Sequence, residues 1–206
     1  MSAIATLPTF DTSEPPPVPL ARFTVEQYHQ MIDAGVFASD DRFELLEGWI
    51  VAKMPRNPPH DVAIVLAQEA LQTRRPAGWH IRNQSAITLV DSQPEPDLAI
   101  VRGSARDYLA RHPGPGDVAL VVEVADATLD RDLGLKRRIY ARAGLPAYWV
   151  LNLVDRRVEA HGDPTGPVAA GEPSYCTIAI YGPGDSVPMA IGDAAPTLLP
   201  VDSLLP

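Results

Sequence analysis

From Val118 to Val124 the chain reads Val-Ala-Leu-Val-Val-Glu-Val, apolar on both faces until Glu123. Such a run predicts a central strand covered on both sides of a sheet. Upstream, Thr24 reads as an N-cap, with Val25, Tyr28, Met31 and Ile32 at helical spacing and Gly35 as the stop. Strands over Arg42–Leu46 and Trp49–Met54 flank Glu47-Gly48, the signal of a tight hairpin. A helix is predicted over Asp61–Arg75, behind the turn Pro58-Pro59-His60. Strands are predicted at Ile81–Gln84, Ala86–Val90 and Leu98–Val101, and a short helix at Ala105–Arg111. A helix over Asp130–Ala143 ends at Gly144-Leu145-Pro146. Strands Ala147–Leu151 and Arg157–Ala160 follow, and the Gly- and Pro-rich remainder holds one clear strand, Tyr175–Tyr181.

The helix 130–143 carries the most telling position. Residues 132, 135, 136, 139, 140 and 143 share one face, which Leu135, Ile139, Tyr140 and Ala143 make apolar. Lys136 sits in the middle of it, while Arg137, Arg138 and Arg142 point elsewhere. A lysine on a core-facing side either snorkels out or meets a carboxylate. Two acids are at hand on predicted strands: Asp97 in Pro96-Asp97-Leu98 and Glu123 in the central run. Pro-Asp is common at turns, so Asp97 also reads as a strand-start turn residue. Glu123 within an apolar strand needs a partner, structural or functional. Glu44 and Glu47 flank the hairpin, where one could reach a metal or both could be edge charges. His60 reads either as a site residue or as a helix-entry contact. Two acids and a lysine at one point suit a hydrolase that holds a divalent cation and orients a water.

Composition narrows the classes. The chain of 206 residues can bury one core, with an extension. Its one cysteine, Cys176, excludes a disulfide framework and a Cys-based zinc site, and favours a cytoplasmic protein. Met1–Leu20 has five prolines and no Lys or Arg. It reads as neither a secretory signal nor an anchor, and residues 1–21 are expected to form a flexible arm. No apolar run reaches the roughly 18 residues of a membrane span. The net charge of −9 argues at first against nucleic acid, yet positions 22–157 hold 17 basic and 18 acidic residues, a net of −1. Arg131, Lys136, Arg137, Arg138 and Arg142 form one basic cluster, and Arg74, Arg75 and Arg82 a smaller one. These are either solvated helix faces or nucleic-acid contacts, with Arg131, Arg137 and Arg138 the candidates. The organisation expected is the arm, a core over 22–161 and a β or irregular extension over 162–206 packed on it.

The ordered set Phe43-Glu44-Leu45-Leu46-Glu47-Gly48, Pro58-Pro59-His60, Pro96-Asp97, Val122-Glu123-Val124, Lys136, Tyr140 and Gly144-Leu145-Pro146-Ala147-Tyr148-Trp149-Val150 resembles the bacterial Uma-two family. These are restriction-endonuclease-like proteins of the PD-(D/E)XK nuclease superfamily. The resemblance spans about Arg22 to Ala160, plus the ending Leu-Leu-Pro-Val-Asp-Ser-Leu-Leu. It implies an α/β fold, a mixed sheet flanked by helices. It also implies Mg²⁺ or Mn²⁺ held by Asp97 and Glu123 with the Val124 carbonyl, Glu44 as a further metal-site acid, and His60 nearby. The superfamily's usual lysine place is Ala125 here, and Lys136 stands in from the next helix; Asp126 replaces a frequent serine. The activity implied is a metal-dependent endonuclease cutting nucleic acid, DNA above all. The alternatives are a non-catalytic DNA-binding or assembly module, or a hydrolase of small phosphorylated molecules. A homodimer is a further expectation.

Overall fold

The computed structural model describes residues 20–38 and 41–206, so nearly all of the expected arm over 1–21 lies outside the described residues. Helix α1 (Val25–Asp33) starts where Thr24 and Gln27 cap each other's backbone N–H groups. Strands β1 (Phe43–Leu46) and β2 (Trp49–Ala52) pair as the expected hairpin. Its two turn residues, Glu47 and Gly48, both have positive φ, 49° and 78°, as a tight two-residue turn requires. A Cβ on Gly48 would stand 2.6 Å from the Arg22 Cβ, so the close approach of the chain there needs glycine.

Helix α2 (Pro58–Arg74) begins three residues earlier than its apolar pattern suggests. Asn57 is its N-cap, with prolines in the first turn where no N–H is needed. Then come β3 (Trp79–Asn83), β4 (Leu98–Arg102) and β5 (Val118–Ala125), β5 being buried along its whole length. The stretch Ala86–Val90 is not the strand that was expected. Its buried residues Ala86, Ile87 and Leu89 fill the core from an irregular loop. Ile87 N–H donates to the Pro94 carbonyl and Leu89 N–H to the Ser92 carbonyl, so local turns replace a ladder. The helix expected at Ala105–Arg111 is only a 3₁₀ turn, Ala105–Tyr108.

The segment after β5 is helical but not uniformly α. Helix α3 (Leu129–Arg131) passes into a π-helical turn over Asp132–Lys136, and α4 (Arg137–Arg142) continues from it. Strands β6 (Ala147–Asn152), β7 (Arg157–Pro164) and β8 (Tyr175–Tyr181) follow. The tail adds a second hairpin, β9 (Ser186–Met189) with β10 (Thr197–Pro200), that the sequence pattern did not signal.

The main sheet has six strands in the order β3-β4-β5-β6-β7-β8. Only β5 and β6 run parallel, and the chain between them is the helical segment. It is thus the mixed sheet flanked by helices that was expected. One face carries Leu98, Ile100, Leu120, Val122 and Trp149 against Ala63, Ile64, Ala67 and Leu71 of α2. Val187, Met189, Leu199, Val201 and Leu204 are buried in that same cluster, so segment 162–206 shares one core with the strands before it. The other face packs Val101, Val121, Tyr148 and Val150 against Ile139 and Tyr140 of α4. No helix among the described residues is long and apolar enough to cross a membrane.

Candidate active site

The cleft lies where β4 begins and β5 ends, two adjacent strands of opposite direction. Asp97 directly precedes β4, and Glu123 and Val124 lie near the end of β5. Residues Glu44 of β1, His60 in the first turn of α2, and Asp132 and Lys136 of the π turn line the same cavity of about 60 Å³. That is room for a hydrated ion or a few waters.

Lys136 is 3% exposed and turns inward. Its Nζ donates to Glu123 Oε1 at 2.8 Å and stands 3.7 Å from Glu44 Oε2. Burial alone would lower its pKa, but the charges of Glu123, Glu44 and Asp132 outweigh it and raise it, so the ammonium keeps its proton. Glu123 Oε1 also accepts from the Tyr140 hydroxyl at 2.7 Å. Burial pushes the Glu123 carboxyl up to about 8, against the opposing pull of Lys136 and with the help of Asp132, Asp97 and Glu44. Glu44 is 1% exposed; its Oε2 accepts from the Glu95 N–H at 3.2 Å, and its Oε1 has no hydrogen-bond partner.

Asp97 is more firmly tied. Its Oδ2 accepts from the Val124 N–H at 2.9 Å and lies 3.4 Å from His60 Nε2, and its Oδ1 accepts from Gln84 at 3.2 Å. Burial works to raise its pKa, yet His60, the Val124 N–H and Lys136 prevail and lower it. The reciprocal effect acts on His60: burial opposes its charge, but Asp97 and the Val124 carbonyl raise its pKa. The Asn57 cap accepts from the His60 N–H and so fixes where the ring enters the cleft. A folded-state pKa below the unfolded value near 4 means that Asp97 stabilises above that pH and loses its effect as pH falls through its folded value. Asp97→Asn, which turns an NH₂ toward existing donors, should therefore lower the melting temperature at pH 7. The deficit should shrink at pH 3, which parallel thermal melts would check.

Two features of the site were not singled out from the sequence. Asp132, 2% exposed, faces the cleft with Oδ1 unpartnered, while its Oδ2 accepts from the Thr128 hydroxyl at 2.5 Å. Tyr140 closes the hydrogen-bond set of Glu123. Glu47 goes elsewhere: it binds Arg138 at 2.7 Å and Arg142 at 3.0 Å, away from the cleft. That contact neutralises Arg138, which also meets Glu172 at 3.2 Å. Arg137 lies near His161 and adds to the lowering of its pKa. Arg131 lines the cleft, and its buried Nε has no partner.

At the buried centre Glu44, Asp97, Glu123 and Asp132 face Lys136 and His60, and among the described residues Glu44 Oε1 and Asp132 Oδ1 lack donors. Both hydrogen bonds of Glu123 fall on Oε1. Among the described residues no three His, Cys, Asp or Glu side chains converge into a ready metal cage. Such a set fits Mg²⁺, which keeps several waters and takes one or two carboxylates plus substrate oxygens. Glu44, Asp97, Glu123 and the Val124 carbonyl are the groups that could hold it.

A mixed sheet with an acid–lysine cleft at the ends of its central strands is a restriction-endonuclease-like arrangement. The fold is shared with a crystal structure described as a putative nuclease belonging to DUF820 from Anabaena variabilis. The TM-score is 0.61 at 12% identity, over 88% of this chain and 97% of that one. Residues 25–189 match the family described as "Uma2: Putative restriction endonuclease", and the chain belongs to that family. None of the curated proteins matches. Family and fold together support a nuclease-like function.

Proposed function

We propose that this protein is a Mg²⁺-dependent endonuclease that hydrolyses phosphodiester bonds in DNA. The observation that carries the reading is the buried Lys136 ammonium, held 2.8 Å from Glu123 in a cleft that Glu44, Asp97 and Asp132 also line. When bound, Mg²⁺ or Mn²⁺ would polarise the scissile phosphate and acidify the attacking water. Asp97 and Glu123 would hold it with the Val124 carbonyl, and Glu44 would bind one of its waters. Lys136 stabilises negative charge developing on the phosphoryl oxygens, and being pre-positioned it needs no reorganisation to do so. His60 orients Asp97. Arg131, with an unpartnered Nε at the cleft, contacts a substrate phosphate, a part for which the ion-paired Arg138 is less suited.

Supercoiled plasmid, single-stranded DNA, RNA and a small phosphate monoester, each with Mg²⁺ or with EDTA, form the test. Nicking of plasmid with Mg²⁺ alone is expected. Hydrolysis of the monoester only would assign the site to small phosphorylated molecules, and DNA binding without cleavage would make the protein a binding module.

The site works in the cytoplasm, where the exposed thiol of Cys176 stays reduced. The protein also forms a closed dimer. Edge strand β8 reads Tyr-Cys-Thr-Ile-Ala-Ile-Tyr, with Ile178 and Ile180 half exposed and no charge, proline or bulge to block pairing. About a two-fold axis its edge, unpaired among the described residues, meets its own copy without like-charge repulsion. Light scattering should give twice the chain mass, and Ile178→Lys should return a monomer.

A further inference from the structure

Hydrolysis needs a group to take the proton of the attacking water, and most polar groups of the cleft are unavailable. Lys136 Nζ acts as a donor, to Glu123 Oε1 at 2.8 Å with Glu44 Oε2 3.7 Å away. Both oxygens of Asp97 already accept hydrogen bonds, from Gln84 and from the Val124 N–H. His60 Nε2 is turned to Asp97 Oδ2, 3.4 Å away, and so is engaged by that acid. Glu44 and Glu123 are committed to the cation in the function proposed above. Asp132 remains.

Its geometry is that of a held acceptor. The side chain is 2% exposed, yet it lines the cleft. Oδ2 is anchored by the Thr128 hydroxyl, its main-chain N–H donates to the Thr128 carbonyl at 3.0 Å, and its own carbonyl accepts from the Tyr148 hydroxyl at 3.0 Å. Oδ1 has no partner. A buried carboxylate oxygen without a donor is costly, and native proteins leave few of them. Asp132 and Lys136 are the first and last residues of the π turn. Single π turns interrupt α-helices chiefly at functional sites. Here the wider turn brings both residues of one segment to the cleft.

We propose that Asp132 is the proton acceptor for the attacking water, a role that rests on the phosphodiesterase reading. The water oxygen bonds to phosphorus while one of its protons passes to Asp132 Oδ1. The P–O bond to the leaving group breaks with its electron pair, and the leaving oxygen takes a proton from solvent. Asp132 then releases its proton to solvent, and nothing is oxidised or reduced.

Asp132→Asn and Asp132→Ala test this in full-length protein. Without metal, Asp132→Asn should melt no lower than wild type, because a buried charge with one unpartnered oxygen is removed and Thr128 keeps an acceptor. Binding of Mg²⁺ and of duplex DNA should be retained, while single-turnover cleavage falls by about 10²–10⁴-fold. Added formate should restore part of the Asp132→Ala rate by supplying the missing base in the vacated space. Cleavage by Asp132→Asn at the wild-type rate, a marked loss of its melting temperature or Mg²⁺ affinity, or no rescue by formate would each overturn the proposal. A wild type that cleaves no phosphodiester overturns the nuclease reading and this role together. A wild type that cleaves beside an equally active Asp132→Asn removes the Asp132 role alone.

Discussion

Lys136→Met should destabilise the protein at pH 8 by about 3–5 kcal/mol, the scale on which one partner of a buried ion pair is lost. The pair itself contributes little net stability, since desolvation of both charges offsets their attraction. Removing the lysine differs, because it strands Glu123, Glu44 and Asp132 in a site where Glu123 and Glu44 are almost wholly buried. For a domain of this size the loss corresponds to a melting temperature lower by roughly 10 °C. The deficit should narrow toward pH 5, where Glu123, already pushed up to about 8, takes up a proton instead. Among molecules that remain folded, single-turnover cleavage should fall by about 10²-fold or more, as when one electrostatic stabiliser is removed. Lys136→Arg should not restore it, because a planar guanidinium does not fit a site built for a compact ammonium. Urea unfolding at the two pH values checks the first part. Equal stability of variant and wild type would show that Lys136 does not neutralise these acids.

His161→Phe should make the protein more resistant to acid. His161 is 2% exposed, stacks on Tyr148 at 5.6 Å, and has no hydrogen-bond partner on either ring nitrogen. Burial, aided by the charge of Arg137, lowers its pKa to about 4. Between that value and the unfolded one near 6.5, the unfolded chain binds the extra proton, so wild-type stability drops as pH falls through this window. Across the full window the drop is about 3 kcal/mol, since each tenfold rise in proton concentration contributes about 1.4 kcal/mol. Glu123 acts in the opposite sense, stabilising toward acid between about 4 and 8. Its contribution is common to both proteins and cancels in their difference. The stability gap between His161→Phe and wild type should therefore widen steadily from pH 7 to pH 4. A constant gap would mean that the imidazole titrates as it does in water.

What could be read from the sequence follows the strength of its periodic signals. Val118–Val124 had to be a central strand, because no other place in a sheet tolerates apolar residues on both faces. The inward turn of Lys136 was readable from its apolar neighbours Leu135, Ile139 and Tyr140. Asp132 shares that face, but an acid in the first turn of a helix has an ordinary explanation in the helix dipole. Nothing in a 3.6-residue pattern announces the π turn that puts it at the cleft. The hairpin was plain, whereas the division of labour between Glu44 and Glu47 was not. It depends on Arg138 and Arg142, far away in sequence, which claim Glu47. Ala86–Val90 reads as a short apolar, β-branched run like a strand, although its partners are local carbonyls. Strands β9 and β10 were hidden by Pro188 and Pro200, residues that weaken any strand signal.

The most direct measurement is single-turnover cleavage of supercoiled plasmid by wild type and Glu123→Gln, each with Mg²⁺ and with EDTA. Nicking by wild type with Mg²⁺ alone, abolished in Glu123→Gln at a temperature where that variant is folded, is the predicted result. Nicking that persists in EDTA or in folded Glu123→Gln would contradict it.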